Sequence, residues 1–126
     1  MAKRMKIYFD GGCRPNPGRI EIAIVARGLA HIEHDAGQGT SMDAEWLALI
    51  AALRHARALG AGDYVLLGDA KAVIEQATGI VVPRRTNAHH CDSFHAILAG
   101  DDRPRIRYIK RTQNLAGIAL ARQRVW

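Results

Sequence analysis

Three acidic residues stand where a folded chain could bring them into one site. Asp10 ends the β-favouring run Ile7-Tyr8-Phe9 and opens a turn, Gly11 to Gly18, that holds three glycines and two prolines. Such backbone lets a cation or a phosphate come close to an ionised carboxylate. Glu45 falls in the first turn of a helix, one turn before Leu49, and so borders the buried face. Asp69 follows the apolar run Tyr64 to Leu67 and precedes a second helical pattern, at the carboxyl end of a strand, where ligands bind in parallel sheets. Each also has an ordinary structural explanation: Asp10 as a turn initiator, Glu45 as a complement to the helix dipole, Asp69 as an N-cap. Taken together, clustered carboxylates repel unless cations neutralise them, and their oxygens suit Mg2+ or Mn2+ rather than zinc. Two-metal phosphodiester chemistry requires a set of this kind.

The elements that must position these residues follow from periodicity. Residues 4–10 read as a first strand, and the turn at Pro15-Asn16-Pro17-Gly18 sends the chain back along residues 19–27, where Ile20, Ile22 and Ile24 alternate as a strand with one buried face. Residues 29–34 make a third strand that leaves His31 and His34 facing solvent. Residues 43–59 are the clearest helix: Trp46, Leu49, Ile50, Leu53 and Ala56 share a face, Gly60 lies past its end, and Thr40, Ser41 or Asp43 caps its start. Tyr64 to Leu67 is continuously apolar, as expected of a strand covered on both faces, and Ala70 to Ala77 resumes a helix. Residues 78–87 are irregular, 92–99 form another helix, and 104–110 a last strand with Ile106 and Tyr108 on one face. Thr112 or Asn114 then caps a final helix through Ala121. His89, His90, Cys91 and His95 cluster near a helix start, but their spacing matches no usual structural zinc pattern and reads as surface histidines.

A chain of 126 residues is read as one domain, 1–126, able to bury about two thirds of the surface its unfolded form exposes. Cys13 and Cys91 are the only cysteines, far apart and outside any Cys-x-x-Cys spacing, which points to a reduced, intracellular protein. No apolar run approaches the roughly 20 residues of a membrane span, so no membrane partner and a cytoplasmic location are expected. The net charge of +6 is unevenly placed: residues 103–126 carry seven basic and no acidic side chains, while the rest carry 11 basic and 12 acidic ones. A basic end on a neutral body suits a polyanion through counterion release, or serves solubility as a solvated tail.

The segment Asp10-Gly11-Gly12-Cys13-Arg14-Pro15-Asn16-Pro17-Gly18 resembles the first motif of the type 1 ribonuclease H family. Thr40-Ser41-Met42-Asp43-Ala44-Glu45-Trp46-Leu47-Ala48-Leu49 is similar to the family's helix in which the second carboxylate precedes an Ala-rich apolar run. Val65-Leu66-Leu67-Gly68-Asp69-Ala70 is similar to the segment carrying the third, and Arg111-Thr112-Gln113-Asn114-Leu115-Ala116-Gly117-Ile118-Ala119-Leu120-Ala121 resembles the closing Arg-x-x-Asn and Ala-Asp-x-Leu-Ala motif. The resemblance implies an α/β ribonuclease H-like fold, a five-stranded mixed sheet of order 3-2-1-4-5 flanked by helices. It implies hydrolysis of the RNA strand of RNA–DNA hybrids, with Mg2+ or Mn2+ on Asp10, Glu45 and Asp69 and a phosphate contact at Thr40. Asn16, Arg111, Asn114, Arg122 and Arg124 complete the expected nucleic-acid-binding set, and a monomer without a small-molecule cofactor is expected.

The chain departs from the family pattern at three places. Ile118 stands where the fourth carboxylate falls, Arg111 replaces a histidine-bearing loop as in short-loop relatives, and Met42 lies where an asparagine is common. The two-helix basic protrusion of some relatives is absent. Two functions of different classes therefore stay open: a nuclease with an impaired metal site, and a nucleic-acid-binding module of the same fold that cuts weakly or not at all.

Overall fold

The computed structural model describes residues 4–101 and 103–123. The chain runs β1 (Met5–Cys13), β2 (Gly18–Ala26), β3 (Leu29–Glu33), a two-residue β4 (Gln38–Gly39), α1 (Ser41–Ala58), β5 (Tyr64–Gly68), α2 (Lys71–Ala77), α3 (Ala88–Leu98), β6 (Arg105–Tyr108) and α4 (Leu115–Arg122). Short 3-10 turns at Arg85–Asn87 and Arg111–Gln113 precede α3 and α4. The sheet order is β3-β2-β1-β5-β6, with β4 pairing only to the start of β2. This is the expected 3-2-1-4-5 order once the extra two-residue strand is counted. β1 pairs antiparallel with β2 and parallel with β5, so it is the central strand. Among the described residues, no helix is long and apolar enough to cross a membrane.

Alternation along β1 and β2 divides the core in two. Ile7, Phe9, Ile20, Ile22 and Ile24 face α1 and meet Trp46, Leu49, Leu53 and Phe94. Trp46 is fully buried, and its indole N–H donates to Gln76 Oε1 at 3.2 Å, which satisfies the one polar atom the ring carries inside. On the opposite face Ala23 and Val25 pack with Ala116 and Leu120 of α4. β2 is thus buried on both faces over residues 22–26, not on one as its alternation predicts, because α4 lies across the side that the sequence leaves small and apolar.

Several boundaries move from their expected places. β1 continues to Cys13, since β2 pairs with it as far as Cys13↔Ile20, so Asp10 lies inside a strand and not at its end. α1 starts at Ser41 with Thr40 as N-cap, in a capping box where Asp43 N–H donates to Thr40 Oγ1 and Thr40 N–H donates to Asp43 Oδ2. Glu45 accordingly opens the second turn, and Asp43 is the acid of the first. α3 starts at Ala88, four residues early, so His89, His90 and Cys91 are helical. β6 is shorter than expected and lies at the sheet edge, where Ile106 reaches the core but Tyr108 is 53% exposed. Two arginines of the basic C-terminal segment are engaged within the fold: Arg105 pairs with Asp63 at 3.0 Å, and the Arg103 guanidinium donates to Thr78 O.

Candidate active site

Strands β1 and β5 and helix α1 bring the three carboxylates to one cleft of about 630 Å³, lined by Asp10, Glu45, Asp69, Arg111, Thr112 and Ile118 among others. Asp10 is level with Ala23 on β2. The parallel register with β5, Tyr8↔Leu67, carried two residues onward, sets Asp10 beside Asp69 just past the end of β5. Side-chain alternation points Asp10 to the α4 face, where Gly117 leaves room: a Cβ on Gly117 would lie 3.5 Å from Asp10 Oδ2.

Glu45 arrives from the other face through a close helix–strand contact. A Cβ on Gly11 would overlap the carbonyl oxygen of Ala44, so only glycine lets α1 rest on β1 at this point. The contact puts Glu45 Oε1 3.3 Å from the Gly11 N–H, which donates to it. Burial, together with the charges of Asp10 and Asp69, pushes the Glu45 carboxyl up to about 8, against the smaller opposing effects of the Gly11 N–H and the Arg111 guanidinium.

Asp69 is not an N-cap: α2 is preceded by Ala70 and has no side-chain cap. Its Oδ1 instead accepts a hydrogen bond from Asn114 Nδ2 at 3.0 Å. The same Nδ2 donates to Phe9 O at 3.0 Å, and Asn114 Oδ1 caps α4 by accepting from the Ala116 N–H at 3.1 Å. Asn114 is fully buried, so its expected place on the nucleic-acid surface is corrected: it fastens β1, Asp69 and α4 to one another. The sequence marks it as a possible cap, but its two long-range partners lie 105 and 45 residues away and leave no local signal.

The other expected contacts are dispersed. Asn16 is exposed, and its Oδ1 accepts from the Ser41 N–H at 3.1 Å, which ties the turn after β1 to the start of α1. Thr40 is exposed but is committed to the capping box. Arg111 is exposed at the mouth of the cleft. Arg122 is exposed in the last turn of α4, and Arg124 lies outside the described residues. Ile118, half-buried, forms part of the cleft wall and is not a core residue. A larger groove of about 1040 Å³ runs past the start of α1 between Leu47, Val81, Val82, Arg84 and His89, and holds none of the three carboxylates. The three carboxylates and the perturbed Glu45 lie in the smaller cleft.

The raised Glu45 carboxyl makes a prediction for the protein kept free of divalent ions. A carboxyl that holds its proton more tightly folded than unfolded gives its full stabilisation below the ordinary value of 4.5, and that contribution is lost as the pH rises to about 8. Wild-type protein in chelator should lose about 2–4 kcal/mol between pH 5 and 8.5 from this group, and Glu45→Gln should remove most of that loss. Urea midpoints of both proteins at the two pH values check it; equal pH dependence in the two would contradict the assignment.

Comparison with known proteins places the fold in a family. Residues 9–124 match the family model described as reverse transcriptase-like. A curated ribonuclease HI of Halobacterium salinarum is 40% identical over an 85-residue alignment, with 60% of this chain and 41% of that relative's length covered. The crystal structure of RNase H1 from the same archaeon superposes with a TM-score of 0.82 at 30% identity, covering 94% of each chain. The N-terminal RNase H domain of a Mycobacterium tuberculosis protein gives 0.77 at 26% identity, covering 96% of this chain and 98% of that one. LC11-RNase H1, from compost and solved in complex with an RNA/DNA hybrid, gives 0.79 at 25% identity with 93% of each chain covered. With the expected sheet order, the three carboxylates in one cleft and a near-complete match to these structures, the chain belongs to the type 1 ribonuclease H family.

Proposed function

We propose that this protein is an endoribonuclease that hydrolyses the RNA strand of RNA–DNA hybrids with the help of Mg2+ or Mn2+. The observation that carries this is the meeting of Asp10, Glu45 and Asp69 in one cleft, where burial and their mutual repulsion push the Glu45 carboxyl up to about 8. Among the described residues, the cleft offers too little positive charge to relieve that repulsion, since only Arg111 and, at the rim, Arg14 line it as cations. Hard oxygen donors without histidine or sulfur ligands among the three fit Mg2+ or Mn2+. Bound by Asp10, Glu45 and Asp69, such ions would supply an activated water and stabilise the leaving oxygen of an in-line displacement.

The chain's own residues prepare that arrangement. Asn114 fixes the orientation of Asp69, the Gly11 N–H fixes one oxygen of Glu45, and Gly117 keeps the space beside Asp10 open. Arg111 sets positive charge where a phosphate would enter. The relative solved with an RNA/DNA hybrid supports the substrate class. The test is cleavage of a labelled hybrid in Mg2+, in Mn2+ and in chelator, beside duplex DNA and duplex RNA. Cleavage of the hybrid's RNA strand alone, abolished by chelator, is the expected result.

A second reading rests on Ile118. It supplies a hydrocarbon wall where the family resemblance expects a fourth carboxylate, which favours a module that binds nucleic acid and cuts slowly. Because Ile118 is half-buried on the cleft wall, Ile118→Asp should fold and should not incur the several kcal/mol expected for a core position. It should raise the Mg2+-dependent rate about tenfold, equivalent to roughly 1.4 kcal/mol of transition-state stabilisation. Rates against metal concentration, with a melting curve, decide it: a folded variant with no gain at any concentration removes the impaired-site account.

Hybrid binding should weaken steeply with salt. Replacing Arg122 and Arg124 with glutamine should flatten the log–log slope by about one for each phosphate that these side chains neutralise. An unchanged slope would put the binding surface elsewhere, with Arg111 the first candidate.

A further inference from the structure

Away from the cleft, the starts of α1 and α3 meet across the larger groove. Asp43, His89 and His90 each offer one ligand atom there, and these atoms lie within 4.8 Å of one another. His90 is 7% exposed, and its Nε2 sits 2.7 Å from Asp43 Oδ1. Neither residue is loosely held. The second Asp43 oxygen is fixed by Thr40, from its N–H at 2.9 Å and its hydroxyl at 3.1 Å, while the His90 ring stacks on Trp46 with centroids 6.1 Å apart and planes 14° from parallel. His89 is exposed, its ring 3.9 Å from that of His90 by centroids, and all three residues line the groove, which leaves solvent access for a fourth ligand.

The geometry points to a divalent transition-metal site of the zinc class built from Asp43 Oδ1, His90 and His89, separate from the acidic cleft. Two imidazoles and a carboxylate with one open position are a common zinc donor set, and imidazole nitrogen selects Zn2+, Co2+ or Ni2+ over Mg2+. A tetrahedral ion at about 2.0–2.1 Å from each donor needs them about 3.3 Å apart, within reach of small side-chain rotations from the separations observed. The Thr40 contacts and the Trp46 stack supply the outer support that such sites use to hold their ligands in orientation. A bound ion would clamp the first turn of α3 to the first turn of α1, two residues before Glu45. The set differs from the histidine and cysteine cluster visible in the sequence. Within α3, Cys91 and His95 turn to each other, with Sγ and Nδ1 3.6 Å apart, and leave His89 and His90 to Asp43, 46 and 47 residues away in the chain.

The experiment is a titration of the full chain with Zn2+ and with Co2+ in millimolar Mg2+, which competes for the acidic cleft. The readouts are calorimetry, the visible absorption of Co2+ and the melting temperature. One ion per chain should bind, with intense tetrahedral Co2+ absorption and a rise in Tm of about 5–10 °C at a hundredfold excess over Kd. His89→Ala and His89→Gln change an exposed side chain and should keep the fold. Each should weaken binding about tenfold or more and remove the tetrahedral spectrum. Asp10→Asn should leave binding unchanged. The proposal is overturned if neither ion binds, if both His89 variants bind as wild type does, or if Asp10→Asn abolishes binding while the His89 variants keep it, which would place the ion in the acidic cleft.

Discussion

Asp10→Asn should abolish hybrid cleavage, by at least about a thousandfold or roughly 4 kcal/mol of transition-state stabilisation, while leaving the fold intact. Asp10 occupies the central strand, level with Asp69 and beside the Gly11 backbone that holds Glu45, so it adjoins both of the other carboxylates. An amide of the same shape keeps the packing but removes one of the charges that push the Glu45 carboxyl up. The apo variant should therefore melt no lower than wild type at pH 8, and Glu45 should titrate closer to its ordinary range. Single-turnover cleavage of a labelled hybrid, with circular dichroism and a melting curve on the same samples, reads both outcomes. Cleavage at the wild-type rate would remove the site assignment, and a large loss of stability would show Asp10 to be a structural residue.

Asn114→Ala should lower stability by about 2–4 kcal/mol and reduce the cleavage rate more than tenfold at temperatures where the variant is still folded. The side chain makes three hydrogen bonds in a fully buried position, to Phe9 O, Asp69 Oδ1 and the Ala116 N–H. Truncation strands a strand carbonyl and a helix-start N–H where water does not easily reach, and it releases Asp69 to other rotamers. Asn114→Asp separates the two roles: its oxygen can still cap α4, yet it donates to neither Phe9 O nor Asp69 and sets a fourth negative charge in the cluster. It should recover little of the stability at pH 8 and none of the rate. Urea unfolding and cleavage assays on both variants check this; stability within about 0.5 kcal/mol of wild type for Asn114→Ala would mean that these bonds contribute little.

The three carboxylates and the elements that carry them could be read from local pattern, and the sheet order was implied by the resemblance of the motifs to the ribonuclease H family. Periodicity and turn residues are properties of short segments, and the motifs around Asp10, Glu45, Asp69 and Asn114 each lie within or beside one element. Packing between distant segments set what remained. Asp10 became an interior strand residue because β2 keeps pairing with β1 through Gly11 and Gly12, a long-range match with no signal in a glycine-rich stretch. Gly11 became the seat of α1 because its missing side chain meets Ala44, a contact made across 33 residues. Asn114 became an internal fastener because α4 folds over the opposite face of the sheet, which also buried the second face of β2. Asp43 found two histidines because α3 starts four residues before its apolar pattern does, turning His89 and His90 toward α1. Each of these joins segments far apart in the chain, and such pairings are fixed by how helices and strands fit together, not by the residues of either segment alone.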